Sequence, residues 1–122
     1  MLNNIEISTE LLDIVLKDTN FNGVSFTNTK DYKVEDSFIS INLLPSFNND
    51  VYEHYISIDA LAGLCKKWIN QQDYSVMSGY KQSNDAIGTC VLKKKKHSRK
   101  FISWSEPEAI FKAAEWVLNA IK

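Results

Sequence analysis

The chain has 122 residues, of which 44% are hydrophobic and 24% charged, and this composition is typical of a globular domain. No apolar run approaches the roughly 18 residues of a membrane span, and the N-terminus lacks the basic start and apolar core of a signal peptide. We therefore expect a single domain over residues 1–122 in the cytoplasm, with no disulfide framework needed for folding.

The net charge of −1 conceals an uneven distribution. Residues 1–60 contain ten acidic and three basic residues, a net charge of −7, whereas residues 61–122 contain five acidic and eleven basic residues, a net charge of +6. Six of those basic residues lie within residues 93–100. If the two halves are separate in space, this distribution predicts an acidic face and one basic spot.

The N-terminal part of the chain predicts one short helix. Residues 8–10 (Ser-Thr-Glu) have the form of a helix start, and residues 18–20 are suited to end the helix. Four residues between them form an apolar face: Leu11, Leu12, Val15 and Leu16. Asn-Gly at 22–23 predicts a turn, and residues 24–26 predict a brief strand.

One further strand is predicted in the first half of the chain. Residues 27–36 are polar and predict a loop. Residues 38–44 alternate between apolar and polar positions, which predicts a half-buried strand that Pro45 stops. Its apolar face consists of Ile39, Ile41 and Leu43. Residues 46–50 predict another loop.

A second helix is predicted where Ser57 or Asp59 can cap its N-terminus. Its apolar residues recur at helical spacing: Ile58, Leu61, Leu64, Cys65, Trp68 and Ile69. Gly63 costs about 1 kcal/mol relative to Ala in a helix interior, which suggests close packing against a neighbour.

The remaining residues predict three strands and a final helix. Strands at 74–81, 86–93 and 99–104 are joined by connections of four and five residues, short enough to make them antiparallel neighbours. Ser105 and Glu108 have the spacing of a capping box at the start of the helix. Its apolar stripe consists of Ile110, Ala113, Ala114, Val117, Leu118 and Ile121. We predict a small α+β domain, with an antiparallel meander of three to four strands packed with two or three helices, including this C-terminal helix.

Three segments of the chain also resemble a known family: Leu44-Pro45, the helix start at 55–60 (YISIDA), and residues 105–114 (SEPEAIFKAA). Over residues 43–121 the chain resembles the small bacteriophage proteins called phage ABA sandwich proteins. Those proteins have a Leu-Pro before a Tyr-Ser-x-Asp-like helix start, and a last helix of the form Pro-x-Ala-Ile-x-x-Ala-Ala. The resemblance implies a phage or prophage origin and an accessory role, and it carries no catalytic residues over to this chain.

The most conspicuous local chemistry is a run of basic residues at the second hairpin: Lys93, Lys94, Lys95, Lys96, His97, Arg99 and Lys100. Lysines that contact phosphates give sequence-independent affinity for nucleic acid. Nucleic-acid binders usually interleave aromatic residues with such charge, whereas here Phe101 and Trp104 follow the run. Three interpretations stay open: a solvated loop that discourages edge aggregation, a docking tip for an acidic protein partner, and a nucleic-acid or anion contact.

Other residues give weaker indications of chemistry. His54 is predicted to lie in a loop or at the start of a helix. His54 and His97 are isolated, and the chain has neither a metal-binding spacing nor a nucleophile elbow nor a Gly-rich phosphate loop. We therefore expect no catalytic residues, no metal and no cofactor. Cys65 and Cys90 are predicted to be buried, reduced thiols. Three acidic residues are predicted to be solvent-exposed in a loop: Asp31, Glu35 and Asp36.

Trp116 is the candidate interface residue of the last helix. It lies beside the main apolar stripe, near Lys112, whereas Trp68 belongs to the apolar face of its own helix. Partially exposed tryptophans are frequent at the centre of interfaces. We therefore predict that Trp116 and Lys112 belong to a homodimer or partner interface.

Together these observations predict a non-enzymatic, phage- or prophage-encoded accessory protein that binds a host or defence-system protein. One form is an inhibitor of a bacterial defence complex, of the anti-CRISPR kind, whose acidic N-terminal half meets a basic target surface. Two alternatives remain: a nucleic-acid or anion-binding module that uses residues 93–100, and an immunity protein that neutralises a toxin. No contact with a membrane is expected.

Overall fold

The computed structural model describes residues 5–19, 26–45, 51–82 and 86–122. Within these residues the elements follow in the order α1 (Thr9–Asp18), β1 (Phe26–Val34), β2 (Phe38–Pro45), β3 (Tyr52–Ser57), α2 (Ile58–Gln71), β4 (Ser75–Gln82), β5 (Ala86–Lys94), β6 (His97–Ser103) and α3 (Glu106–Ile121). The predicted turn at 22–23 and loop at 46–50 lie outside the described residues. The prediction of a small α+β domain with an antiparallel meander under a C-terminal helix is confirmed.

Each of the three helices begins at a serine whose hydroxyl oxygen accepts a hydrogen bond from a backbone N–H three residues on. Ser8 caps α1 and Ser57, rather than Asp59, caps α2, each at 3.0 Å. Ser105 caps α3, where its hydroxyl accepts from Glu108 N at 3.3 Å. The Glu108 carboxylate accepts from Ser103 Oγ at 2.7 Å, so this buried side chain ties the helix start to β6. Such caps satisfy backbone donors that have no partner inside a helix.

The first sheet has the strand order β1-β2-β3, and all its pairs are antiparallel. The predicted alternation of β2 is confirmed, because Ile39, Ile41 and Leu43 are fully buried. Ile41 pairs with Tyr32 on β1 and with His54 on β3. This inward face of the sheet covers α1 and α2.

Two predictions for this region were wrong. Residues 27–36 were predicted as a loop, but 27–34 form most of β1, where Tyr32 and Val34 pack against the core, and only 35–36 lie outside a strand. Two register shifts, at residues 26–28 and 29–31, interrupt the strict alternation by which a strand is recognised in a sequence. His54, predicted to lie in a loop or at the start of a helix, lies within β3, and its ring meets Tyr52 edge-on at 5.0 Å.

The second sheet is the predicted meander, with the order β4-β5-β6. Its inward residues Cys90 and Leu92 are buried beneath α3. The five-residue connection predicted after β5 was wrong, because β5 and β6 extend to Lys94 and His97 and leave a turn of two residues. Lys95 in this turn has φ 57°, a left-handed conformation that disfavours side chains other than Gly, Asn and Asp.

The core lies between the two sheets, and α3 contacts both β5 and α2. Because α3 is covered on more than one side, its buried residues exceed the predicted stripe and include Phe111. Ile121, predicted to complete that stripe, is 46% exposed. Trp68 is fully buried as predicted, and its indole N–H donates to Asp18 at 3.2 Å. The prediction of close packing at Gly63 was wrong, because no atom lies within 4 Å of the position that a Cβ would occupy.

None of the described helices has both the length and the apolar composition needed to cross a bilayer.

Candidate partner-binding surface

The surface with the clearest binding chemistry is the side of the second sheet that faces away from α3. Side chains alternate between the two faces of a strand, so the neighbours of Cys90 and Leu92 in β5 point outward. We call this surface the outer face and define it by Met77, Thr89, Val91, Lys93, Lys100 and Ile102. Met77 is 66% exposed and Ile102 is 55% exposed, and Trp104 just beyond β6 is 62% exposed.

Paired register places these apolar side chains side by side. Val91 pairs with Met77 on one side and with Lys100 on the other, and Thr89 pairs with Ile102. In the described part of the chain no element packs on this side of the sheet. An exposed patch of large apolar side chains bordered by charged ones is typical of a binding surface.

The charge of this sheet is of one sign. Strands β4, β5 and β6 contain no Asp or Glu, whereas the residues from Lys93 to Lys100 include six Lys or Arg residues, all exposed. The basic spot predicted from the sequence is therefore one end of the second sheet. Its potential favours an anionic partner over a cationic one.

The predicted basic cluster is divided between two sides of the hairpin. Lys93 and Lys100 belong to the outer face, and Lys95 and Lys96 form the turn. Lys94 and Arg99 lie on the side of α3. Lys94 Nζ is 4.7 Å from the ring centroid of Tyr74, and Arg99 Cζ is 4.9 Å from that of Trp116. His97 pairs with Lys94 across the hairpin.

Trp116 is half-buried and lies beneath Arg99 rather than on the outer face. Its ring centroid is 6.0 Å from that of Tyr74 and 6.3 Å from that of Phe101, so it is part of an aromatic cluster between α3 and the sheet. Lys112 is exposed, and its Nζ is 3.5 Å from the backbone oxygen of Ile102. The two residues predicted as an interface therefore lie at the junction of α3 and the second sheet, and Trp116 is on the side of the sheet opposite the outer face.

Sequence reasoning missed the apolar centre of the outer face. A signal was present, because β4 and β6 carry adjacent apolar residues, Val76-Met77 and Phe101-Ile102, where one buried face needs only alternate ones. The prediction used these residues to support a strand and did not ask which side each would occupy. The strand register places Met77 and Ile102 on the outer face, which α3 does not cover.

Several acidic residues of the N-terminal half have hydrogen-bond partners within the fold. Asp13 accepts from Lys17 at 3.0 Å and Glu10 accepts from Lys122 at 2.9 Å, both at helix surfaces. Glu53 on β3 accepts from Tyr55 at 2.6 Å and from Ser40 at 3.0 Å. These hydrogen bonds lower the pKa of Glu53 below its usual value of 4.5, and the bond from Tyr55 has the larger effect.

Of the acidic residues predicted to lie in a loop, Glu35 and Asp36 do lie in the connection between β1 and β2, whereas Asp31 lies within β1. Asp31 is exposed on β1 and accepts from Asn42 Nδ2 at 2.5 Å, and Asp36 is exposed between β1 and β2. Glu35 is half-buried and lies 3.6 Å from Lys33.

A cavity of about 530 Å³ lies where residues 5–8 cross α3. Its polar groups mainly fasten this segment to the helix. Glu115 accepts from Ser8 N at 2.6 Å and from Ser8 Oγ at 3.2 Å, and Tyr32 OH accepts from Ile7 N at 3.1 Å. We therefore assign these contacts to the fold.

The two cysteines and the metal-ligating side chains were also considered as candidate sites. Cys65 and Cys90 are buried and unpaired, as predicted. Burial raises the pKa of both thiols, that of Cys90 to about 11. Across residues 5–19, 26–45, 51–82 and 86–122, no three His, Cys, Asp or Glu side chains gather closely enough to hold a metal ion.

Comparison of this chain with family models, curated proteins and solved structures gave no match.

Proposed function

We propose that this chain acts without catalysis, by binding an acidic protein through the outer face. The observation that carries the proposal is the uncovered strip formed by Met77, Val91 and Ile102, which Lys93 and Lys100 border at one end. Burial of the strip supplies affinity, and the lysines select a partner of opposite charge and speed its encounter.

The composition of the strip favours protein over nucleic acid. Surfaces that bind single-stranded nucleic acid present aromatic rings on which bases stack, each worth about 1–3 kcal/mol. The centre of the outer face is aliphatic and methionine-bearing, and Trp104 stands at its border. Met and Trp are enriched at protein interfaces, where an apolar centre is surrounded by a polar rim.

The setting that we propose is the cytoplasm of a bacterial host, with the chain encoded by a phage or prophage. The resemblance over residues 43–121 supports this origin. The partner is then a host or defence-system protein, and inhibition of a defence complex is the corresponding activity. The proposal differs in one part from the hypothesis drawn from the sequence: lysines border the outer face, so we propose a target surface that is acidic.

The test is capture of a partner from nuclease-treated bacterial lysate with matched surface variants. Wild-type chain retains one protein in stoichiometric amount, and Ile102→Ser or Lys100→Glu reduces its affinity at least tenfold. Tyr55→Ser, which removes an exposed aromatic ring from the other sheet, and Lys67→Glu, on the exposed side of α2, leave affinity unchanged.

The proposal is contradicted if all four variants retain the partner equally well. It is also contradicted if the wild-type chain retains no protein. The identity of the retained protein separates the two activities of a protein binder. A component of a defence complex supports inhibition, whereas a toxin supports the immunity-protein alternative.

The second candidate function is nucleic-acid binding by residues 93–100, which the six basic residues of this hairpin favour. Phosphate contacts release counterions, so affinity falls steeply as salt rises. If this candidate is right, Lys94, Lys95 and Lys96 changed together to Ala abolish salt-sensitive retention of nucleic acid, while Ile102→Ser does not. The same triple variant leaves capture of the protein partner largely intact if the first proposal is right.

A further inference from the structure

A second, smaller cavity lies on the opposite side of the basic hairpin, between β5, β6 and α3. Its volume is about 270 Å³. Its lining combines three basic side chains, Lys94, His97 and Arg99, with Ser98 and with an apolar wall formed by Leu92, Tyr74 and Trp116. Among the described residues, no Asp or Glu lines it.

The aromatic wall holds the two strong cations in place. Lys94 Nζ lies 4.7 Å from the centroid of Tyr74, and Arg99 Cζ lies 4.9 Å from that of Trp116. Cation–π contacts of this kind restrict long side chains that otherwise move freely, at about 0.5–1 kcal/mol each at exposed sites. The two rings touch each other edge-on, so the two cations are positioned together.

These cations have no carboxylate partner in the cavity, because no acidic residue lines it. An anion that enters between them gains charge-assisted hydrogen bonds, and the planar guanidinium of Arg99 suits the bidentate geometry of phosphate. The strands of the hairpin contain no acidic residue, so the local potential also favours an anion.

The cavity is larger than a phosphate group requires, and part of its lining is apolar. A ligand that fills it therefore carries an organic group beside its charge. Its volume falls just below that of usual ligand sites, about 300–1,000 Å³, which points to a small molecule rather than a polymer segment.

We propose that this cavity binds a small phosphate monoester, such as a sugar phosphate or a nucleoside monophosphate. Arg99 and Lys94 bind the phosphate, and Leu92 and the ring of Trp116 contact the organic group. The site is separate from the outer face, because Lys100, the next residue along β6, points to the other side of the sheet.

The experiment is titration of isotopically labelled chain with ribose 5-phosphate and with adenosine 5′-monophosphate, followed by NMR at constant ionic strength. Saturable shifts are expected at Tyr74, Lys94, Arg99 and the Trp116 indole N–H. Adenosine, which lacks the phosphate, and inorganic phosphate, which lacks the organic group, are expected to bind at least tenfold more weakly than the monoesters.

Arg99→Gln is expected to weaken both monoesters at least tenfold, and Lys94→Gln gives an independent reading if the first variant loosens Trp116. Lys100→Gln is the matched control, because it removes the same charge from the adjacent residue outside the cavity. Equal losses in Arg99→Gln and Lys100→Gln overturn the proposal. Shifts centred on Lys93, Lys95 and Lys96, inorganic phosphate binding as tightly as the monoesters, or no saturation also overturn it.

Discussion

Gly88 lies against the backbone of Ser105, and a Cβ at Gly88 would stand 1.9 Å from the Ser105 carbonyl carbon and 2.2 Å from Glu106 N. These are backbone atoms at the N-terminus of α3, so they cannot move aside without shifting the helix. The close approach of β5 to this helix start therefore depends on the absence of a side chain at residue 88.

We predict that Gly88→Ala destabilises the protein by at least about 2 kcal/mol, because overpacking against fixed backbone costs about 1–3 kcal/mol or more. Chemical denaturation measures the change in the free energy of unfolding. Gly79→Ala in the neighbouring strand is the control, because no atom lies within 4 Å of its Cβ position, and it should be neutral or mildly stabilising. Similar stability of the two variants would contradict the close contact at Gly88.

A second prediction concerns Glu53. The pKa of its carboxyl is lowered by hydrogen bonds from Tyr55 and then Ser40, so NMR titration should place it below 4.5. Tyr55→Phe should raise this pKa more than Ser40→Ala does. Because the folded-state pKa is depressed, the associated stability is present above the usual pKa and is lost as pH falls through the folded value. An unchanged pKa in Tyr55→Phe would refute the assignment.

The reciprocal effect should appear at Tyr55. Its pKa is raised above 10 by its hydrogen bond to Glu53 and by the charge of that carboxylate. We predict that Glu53→Gln returns the phenol toward its usual value, measured by spectrophotometric titration. The folded pKa is raised, so the associated stability is present below the usual value and is lost as pH rises through the folded one. Glu35→Gln is the matched control and should lower the pKa of Tyr55 less, because the charge of Glu35 is the smallest of the contributions that raise it.

A fourth prediction concerns the two thiols. Burial raises the pKa of both, and the thiolate is the reactive form, so a thiol reagent at pH 8 should label neither at an appreciable rate in the native state. Cys90 should react faster than Cys65, because its pKa is raised less, to about 11. Mass spectrometry of quenched samples gives the two rates. Rapid labelling of Cys65 before unfolding would show that α2 is less well covered than the structure indicates.

The turn at Lys95 gives the last prediction. A side chain at φ 57° costs roughly 1–2 kcal/mol relative to the usual conformation, and glycine adopts this φ without that cost. Lys95→Gly should therefore raise the free energy of unfolding by about 1 kcal/mol, measured by thermal or chemical denaturation. Lys96→Gly, at the other turn residue, should give no such gain, and a gain of equal size there would argue against strain at Lys95.

The helices and the meander could be predicted because their signals are local. Ser8, Ser57 and Ser105 precede apolar residues at helical spacing, and each caps the helix that follows. Most of β1 could not be predicted, because its register shifts break the alternation of apolar and polar residues that identifies a strand in a sequence.

The sequence predicted which residues form the basic cluster, but not on which side of the sheet each one lies. The basic residues 93–100 were evident, but their division between two sides of the sheet depends on a two-residue turn at Lys95 and Lys96. That turn lacks the Asn-Gly or Asp-Gly signal that makes such turns recognisable. With five residues assigned to the loop, Lys94 and Arg99 could not be placed opposite Trp116.

In the second sheet, buried and exposed side chains alternate along each strand, and this limits which positions can change during evolution. Positions that face α3, among them Cys90 and Leu92, are constrained by packing, whereas Met77 and Ile102 are more than half exposed. Substitutions at the latter positions leave the interior intact, so if the outer face binds a partner as proposed, a lineage with this architecture can exchange one target for another while its scaffold stays the same.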